Sequence, residues 1–139
     1  FQAGLQLLRQ LELSLFDFRL HLEFDPKKDY TQIQALLDKI RKRINIIPVS
    51  PFNRFQHGFS HIFAGGYAAG YYSYLWAEVL SCDAFTKFLE DGIFNQETGQ
   101  AFLQSILEQG GAIDAMELFK KFRGREPKIQ AFLKSLDIE

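Results

Sequence analysis

Three tyrosines and one histidine in the middle of the chain have the side chains and the spacing to bind a polar ligand together. Tyr67, Tyr71 and Tyr74 stand at positions i, i+4 and i+7, and on a helix they would lie within an arc of roughly 60°. His61 and the pair Gly65-Gly66 precede them. Buried phenol hydroxyls need hydrogen-bond partners, which either the protein or a ligand supplies. Two interpretations stay open: core aromatics with satisfied hydroxyls, or a cleft whose donors face a ligand.

Two of the histidines have a spacing that a metal site could use. His57 and His61 are four residues apart, so on a helix both rings would face the same way, as zinc ligands can. No His-Glu-x-x-His is present, and the spacing places no third ligand. The single cysteine, Cys82, excludes a disulfide framework and a Cys-rich zinc module. We therefore expect loop hydrogen bonds at the histidines and no metal ion bound by this chain.

Four further patterns each have a structural alternative. Gly65-Gly66 resembles an anion-binding nest, or else makes a tight turn and a close contact. Residues 56–77 carry no full charge, but their Tyr, Gly, His and Gln content argues against a membrane span. The run KIRKR at 39–43 fits a solvated helix face better than a nucleic-acid site. Arg123 and Arg125 flank a glycine, and structural ion pairs are favoured over substrate binding.

The elements around these candidates predict an all-α protein. Apolar residues repeat at steps of three and four, and Pro, Gly and capping residues separate the segments. No segment alternates between apolar and polar residues as a strand would. We expect an irregular array of five to six helices, with a long Gly- and aromatic-rich loop over 45–66 before the central helix. The expected helices cover residues 1–24, 31–44, 67–89, 97–109, 114–122 and 127–136.

Composition restricts the class of protein. The chain has 139 residues, the size of one domain, and 47% hydrophobic against 24% charged residues excludes general disorder. With 16 Lys+Arg and 17 Asp+Glu, the net charge of -1 excludes a strongly basic nucleic-acid binder. Because the chain begins at Phe1 and its one methionine is Met116, we expect a piece of a longer protein. A lone thiol and no signal-peptide pattern favour a cytoplasmic location.

Residues 59–85, FSHIFAGGYAAGYYSYLWAEVLSCDAF, resemble the C-terminal region of zinc metallopeptidases of the thimet oligopeptidase family, most of all its bacterial cytoplasmic members. Within this resemblance, the pattern His-x-x-x-Gly-Gly-Tyr-x-x-x-Tyr-Tyr-x-Tyr is the specific part. Similar runs cover nearly the whole chain: RQLELSLFDFRLH at 9–21, PFNRFQHGFSHIFAGGYAAGYYSYLWAEVL at 51–80, GIFNQETGQAFLQSIL at 92–107 and ELFKKFRGREP at 117–127. The family's His-Glu-x-x-His helix and its glutamate zinc ligand are absent here and are expected upstream.

The resemblance implies a role for the tyrosines. It identifies the chain as a single helical domain, residues 1–139, that forms the C-terminal, substrate-binding part of a peptidase catalytic domain acting on short peptides. By that match Tyr74 stabilises the tetrahedral oxyanion, and His61, Tyr67 and Tyr71 hold the substrate backbone. Gly65 and Gly66 would let the loop move onto bound peptide. Zinc belongs to the full-length enzyme, and this fragment alone is expected to bind none and to be inactive.

A second class of function stays open beside the peptidase. The aromatic groove could serve a non-enzymatic helical domain that docks a peptide or a partner helix. A His-Glu-x-x-His upstream in the same reading frame would favour the peptidase, and its absence the binding domain. Expected partners are short peptides and the upstream zinc-binding half, with no nucleic acid and no membrane. Self-association through exposed apolar surface is also expected.

Overall fold

The protein is described from a computed structural model that places residues 2–138. These residues contain α-helices and no β-strand, so the expected all-α class is confirmed. A 3₁₀ turn covers Phe55–Gly58, and a π-helical segment, Leu103–Leu107, continues the fifth helix. Within residues 2–138 the seven α-helices are α1 (Ala3–Glu23), α2 (Thr31–Ile44), α3 (Ser60–Phe63), α4 (Ser73–Asp91), α5 (Gln96–Phe102), α6 (Ala115–Arg123) and α7 (Gln130–Ser135).

The chain divides into two compact units, Phe1–Leu75 and Trp76–Glu139. In the first unit, α1 and α2 bring their apolar faces together with the segment that follows α2. Burying these side chains removes apolar surface from water, which stabilises the fold by about 25 cal/mol per Å² of buried apolar surface. The core of this unit consists of Leu13, Phe16, Leu20, Leu37, Ile40, Phe59, Ile62 and Tyr71.

The second unit has its own aromatic core. Ala84, Phe119 and Phe122 are buried there, and Phe88 and Phe102 pack against them. The rings of Phe102 and Phe122 meet edge to face with centroids 5.2 Å apart, an arrangement that the ring quadrupoles favour. An open, largely apolar groove of about 420 Å³ lies beside this core.

Most helix ends follow local signals. The predicted span of α2 agrees with the structure, and its last turn carries Arg41, Lys42 and Arg43, where cations favour the helix dipole. Asp114 caps α6 by accepting the backbone N–H of Met116, and Gly124 ends that helix in the left-handed region at φ 72°. The central helix α4 differs, because it begins at Ser73 and not at residue 67.

Candidate functional site

The sequence-predicted histidine and tyrosines lie together in the first unit. The rings of Tyr67 and Tyr74 stack with centroids 5.0 Å apart, and Tyr71 lies 5.1 Å from Tyr74. His61 packs among them, with its centroid 5.5 Å from that of Tyr71 and 6.2 Å from those of Tyr67 and Tyr74. We call these four residues, His61, Tyr67, Tyr71 and Tyr74, the phenol cluster.

A turn builds this cluster, and the predicted helical stripe is wrong. Tyr67 and Tyr71 precede α4, and only Tyr74 lies in its first turn. Ala69 adopts a left-handed backbone at φ 56°, which costs a non-glycine residue about 1–2 kcal/mol and is incompatible with a continuous right-handed helix. Gly70 donates its N–H to Tyr67 O at 2.8 Å, closing a turn in place of the expected helical start.

The glycine pair folds this loop back onto α3. The backbone N–H of Gly65 donates to Ser60 O at 2.8 Å, and that of Tyr67 donates to His61 O at 3.0 Å. A Cβ on Gly65 would lie only 2.9 Å from His61 O, so the close approach requires glycine. Gly66 has φ 79°, a conformation that also favours glycine. The pair thus makes the tight turn and close contact that the sequence left as the alternative to an anion site.

Exposure separates the three phenols. Tyr67 is 37% exposed and Tyr74 is 40% exposed, whereas Tyr71 is only 7% exposed. The Tyr71 hydroxyl donates to Gln10 Oε1 at 3.2 Å, so its proton already has a partner inside the protein. Tyr71 is therefore a core aromatic with a satisfied hydroxyl. Tyr67 and Tyr74 are exposed, and for these two the interpretation as donors that face a ligand stays a prediction.

The chemical state of Tyr74 suits a hydrogen-bond donor. Its pKa is raised above the ordinary tyrosine value, first by a hydrogen bond with the Tyr67 side chain, then by partial desolvation and by the charges that Tyr67 and Tyr71 would carry. The phenol therefore stays protonated at neutral pH.

Two residues of α1 accept hydrogen bonds from the segment that carries the phenol cluster, and the sequence analysis did not predict them. Asp17 is fully buried and accepts the backbone N–H groups of Ala69 and Tyr71, each at 2.9 Å. Gln10 accepts the Tyr71 hydroxyl. One signal was available: Asp17 lies within the apolar repeat of α1, where a carboxylate needs a partner to be buried.

The two histidines of the possible metal site lie in different elements. His57 is exposed in the 3₁₀ turn, and His61 lies in α3 within the phenol cluster. Over residues 2–138, no group of three His, Cys, Asp or Glu side chains is placed to hold a metal ion.

The two arginines that flank Gly124 make structural ion pairs in the second unit. Arg125 donates to both carboxylate oxygens of Asp83, at 2.7 and 2.6 Å, and Arg123 donates to both oxygens of Glu90, at 2.8 and 2.9 Å. Burial alone would raise the pKa of Asp83. The hydrogen bonds from Arg125 and from the backbone N–H of Lys128, with the nearby arginine charges, lower it overall.

The uncharged stretch over 56–77 does not form one long helix. It is divided among the 3₁₀ turn, α3, the loop and the start of α4. In the part of the chain that the structure describes, no helix is both long and apolar enough to cross a bilayer.

Comparison with known proteins shows the family. Residues 1–138 match Peptidase family M3, and the chain belongs to that family. It is 57% identical over 139 residues to oligopeptidase A of Escherichia coli K12, covering 100% of this chain and 20% of that protein. It is 45% identical over 138 residues to a probable cytosolic oligopeptidase A of Arabidopsis thaliana, covering 96% of this chain and 20% of that protein.

A more distant relative bears a different name. The chain is 34% identical over 137 residues to dipeptidyl carboxypeptidase of Escherichia coli K12, covering 96% of this chain and 20% of that enzyme. The chain thus spans about a fifth of the length of the curated relatives that it matches.

Proposed function

We propose that this chain is the C-terminal, substrate-binding part of the catalytic domain of a zinc-dependent oligopeptidase that hydrolyses short peptides. Membership of Peptidase family M3 and the names of the oligopeptidase A relatives support the reaction class. The observation that carries the proposal is the pair of outward phenols, Tyr67 and Tyr74, stacked beside His61. A peptidase of this kind needs aimed donors for the oxyanion that forms on the scissile carbonyl.

In this proposal Tyr74 donates to the oxyanion. It is 40% exposed and lies in the first turn of α4, so its backbone is held by the helix. A rigidly held donor costs little reorganisation when charge develops on the substrate. Loss of one such donor typically lowers kcat by about 10²–10³.

His61, Tyr67 and Tyr71 are proposed to hold the substrate backbone. His61 and Tyr67 are exposed enough to do so directly. Tyr71 would have to accept a hydrogen bond from the peptide, or exchange its bond to Gln10 for one to the substrate. Gly65 and Gly66 are proposed to let the loop between α3 and the turn close on bound peptide.

Zinc is proposed to be held by residues of the full-length protein outside this chain. When bound, the ion would polarise the peptide carbonyl as a Lewis acid. The side chains described here would bind and orient the peptide and stabilise the developing charge. The proposed partners are short peptides and the zinc-binding part of the same protein, and the name of the Arabidopsis relative supports a cytoplasmic location.

The test is peptide cleavage by the full-length, zinc-loaded protein and its Tyr74→Phe variant. The matched control is Tyr72→Phe, because Tyr72 is 50% exposed, packs edge-on against Phe18 and lies outside the phenol cluster. We expect kcat to fall by about 100- to 1000-fold in Tyr74→Phe, with KM little changed. Tyr72→Phe should keep kcat. Absence of zinc-dependent cleavage in the wild type would favour a peptide-binding domain without activity and would contradict the proposal.

A further inference from the structure

The carboxylate of Asp17 lies behind the turn that carries the tyrosines. Its side chain has no exposed surface. Oδ1 accepts the N–H of Ala69 and Oδ2 accepts the N–H of Tyr71, both at 2.9 Å, across more than fifty residues of sequence. His21 Nδ1 lies 3.0 Å from the same Oδ1. Hydrogen bonds to a charged acceptor are among the stronger ones in proteins, and each oxygen of Asp17 holds a different part of the turn.

A second contact from α1 is a hydrogen bond with the side chain of Tyr71, in the same turn. Gln10 lies seven residues before Asp17, two helical turns away and on the same face. Its Oε1 accepts the Tyr71 hydroxyl at 3.2 Å. Helix α1 therefore holds Tyr71 at both ends, by its backbone N–H and by its phenol oxygen.

The position of Tyr74 depends on this turn. Its backbone N–H donates to Tyr71 O at 3.3 Å, and Ser73 N–H donates to Gly70 O at 3.0 Å, so the start of α4 is built on the turn. Ala69 has a left-handed backbone that an alanine leaves readily unless other bonds hold it. The bond from Ala69 N–H to Asp17 supplies that restraint.

We propose that Asp17 is a positioning residue that, with Gln10, fixes the turn 67–72 so that the outward phenol of Tyr74 is aimed at the substrate carbonyl. This inference rests on the proposed function, in which Tyr74 is the oxyanion donor. Asp17 itself touches no substrate. It acts by restricting the backbone conformations of the turn before substrate binds.

The test compares Asp17→Asn with Glu12→Gln in the full-length, zinc-loaded protein. Both changes replace a buried carboxylate of α1 by an amide of the same shape. Glu12, however, binds Arg9, Arg41 and Asn45 and makes no bond to the turn. In Asp17→Asn the new NH₂ group must face one of the two N–H donors, which frees one side of the turn.

We expect both variants to lose thermal stability, and only Asp17→Asn to lose kcat. A misplacement of about 1 Å can cost about 100-fold, so a fall in kcat of about 10- to 100-fold is expected, with KM changed less than about threefold. Glu12→Gln should keep kcat within about twofold of the wild type. Equal effects of the two variants on kcat, or an unchanged kcat in Asp17→Asn, would overturn the inference.

A double-mutant cycle with Tyr74→Phe tests whether Asp17 acts through Tyr74. If it does, Asp17→Asn should lower kcat much less in the Tyr74→Phe background than in the wild type. Full additivity overturns the inference. A normal kcat in Tyr74→Phe alone contradicts the proposed function as well. A reduced kcat in Tyr74→Phe with a normal kcat in Asp17→Asn overturns only the positioning role.

If Asp17→Asn yields no folded protein, Gln10→Ala and Gln6→Ala provide the same comparison. Gln6 is exposed one turn earlier on α1, and Gln10 holds the Tyr71 hydroxyl. A several-fold fall in kcat confined to Gln10→Ala supports the inference, and equal kcat values in both variants overturn it.

Discussion

Replacing Gly65 by alanine probes the loop that brings His61 to the tyrosines. The added Cβ would lie 2.9 Å from His61 O and 3.0 Å from His61 Cα, and ordinary contacts begin at 3.4 Å. Both neighbours are backbone atoms, so α3 and the loop must separate by about 0.5 Å. Overpacking of this kind costs about 1–3 kcal/mol, and we expect Gly65→Ala to lower the free energy of unfolding by that amount.

Gly58→Ala is the matched control for this prediction. A Cβ at Gly58 would meet no atom within 4 Å, and its φ lies outside the left-handed region. A glycine-to-alanine change at such a site stabilises a protein by about 0.4–1 kcal/mol. Urea unfolding of the 139-residue chain measures the stability of both variants. The changes in the free energy of unfolding should therefore be of opposite sign.

The kinetic consequence is measured in the full-length protein. Since His61 must move relative to Tyr67 and Tyr71, we expect kcat/KM to fall by about tenfold in Gly65→Ala and to stay normal in Gly58→Ala. Stability changes of the same sign and size in both variants would refute the contact argument for Gly65.

Three further predictions concern zinc binding, self-association and the pH dependence of stability. The isolated chain should hold no stoichiometric zinc after chelator washing and reloading and should cleave no peptide; metal analysis showing one tightly bound zinc, together with cleavage, would contradict this. Exposed apolar side chains such as Phe52 (85%) and Phe94 (95%) should make it self-associate and bind a hydrophobic dye. A strictly monomeric, dye-free chain at high concentration, measured by ultracentrifugation, would be the opposite result. Because the folded-state pKa of Asp83 lies below its unfolded value of about 3.9, the stability that its ionised form contributes is present above about pH 4 and is lost as the pH falls through the folded-state pKa. Asp83→Asn should therefore be less stable than the wild type in urea unfolding at pH 7, and the same difference at pH 3 would contradict the assignment.

Helices with local signals could be predicted from the sequence. The apolar repeat of α2 and the basic residues of its last turn are both local, and its span is confirmed at Thr31–Ile44. The same holds for α6, which has Asp114 before its first turn and Gly124 after its last. Such ends depend on residues within one helical turn, so no knowledge of packing is needed.

The turn 67–72 could not be predicted in this way. Its sequence, rich in Tyr and Ala, is compatible with the helix expected from residue 67, and helical spacing would also have brought the phenols onto one face. The structure brings the same four side chains together by a different route, because Asp17 takes the N–H groups of Ala69 and Tyr71. That interaction joins residues more than fifty positions apart, so no local pattern reports it. The difference in solvent exposure between Tyr71 and the two outward phenols depends on the same long-range packing.

The proposed role of Tyr74 requires that its hydroxyl bind the transition state more tightly than it binds the substrate. Affinity of the full-length, zinc-loaded wild type and its Tyr74→Phe variant should be measured for two ligands, a phosphinic peptide with a tetrahedral centre and a non-cleavable peptide with a planar amide. An interaction made only in the transition state predicts that Tyr74→Phe raises the inhibition constant of the phosphinic peptide by about 100-fold. The Kd of the planar peptide should stay within about twofold of the wild-type value. Equal losses for both ligands, or no loss for either, would contradict the claim.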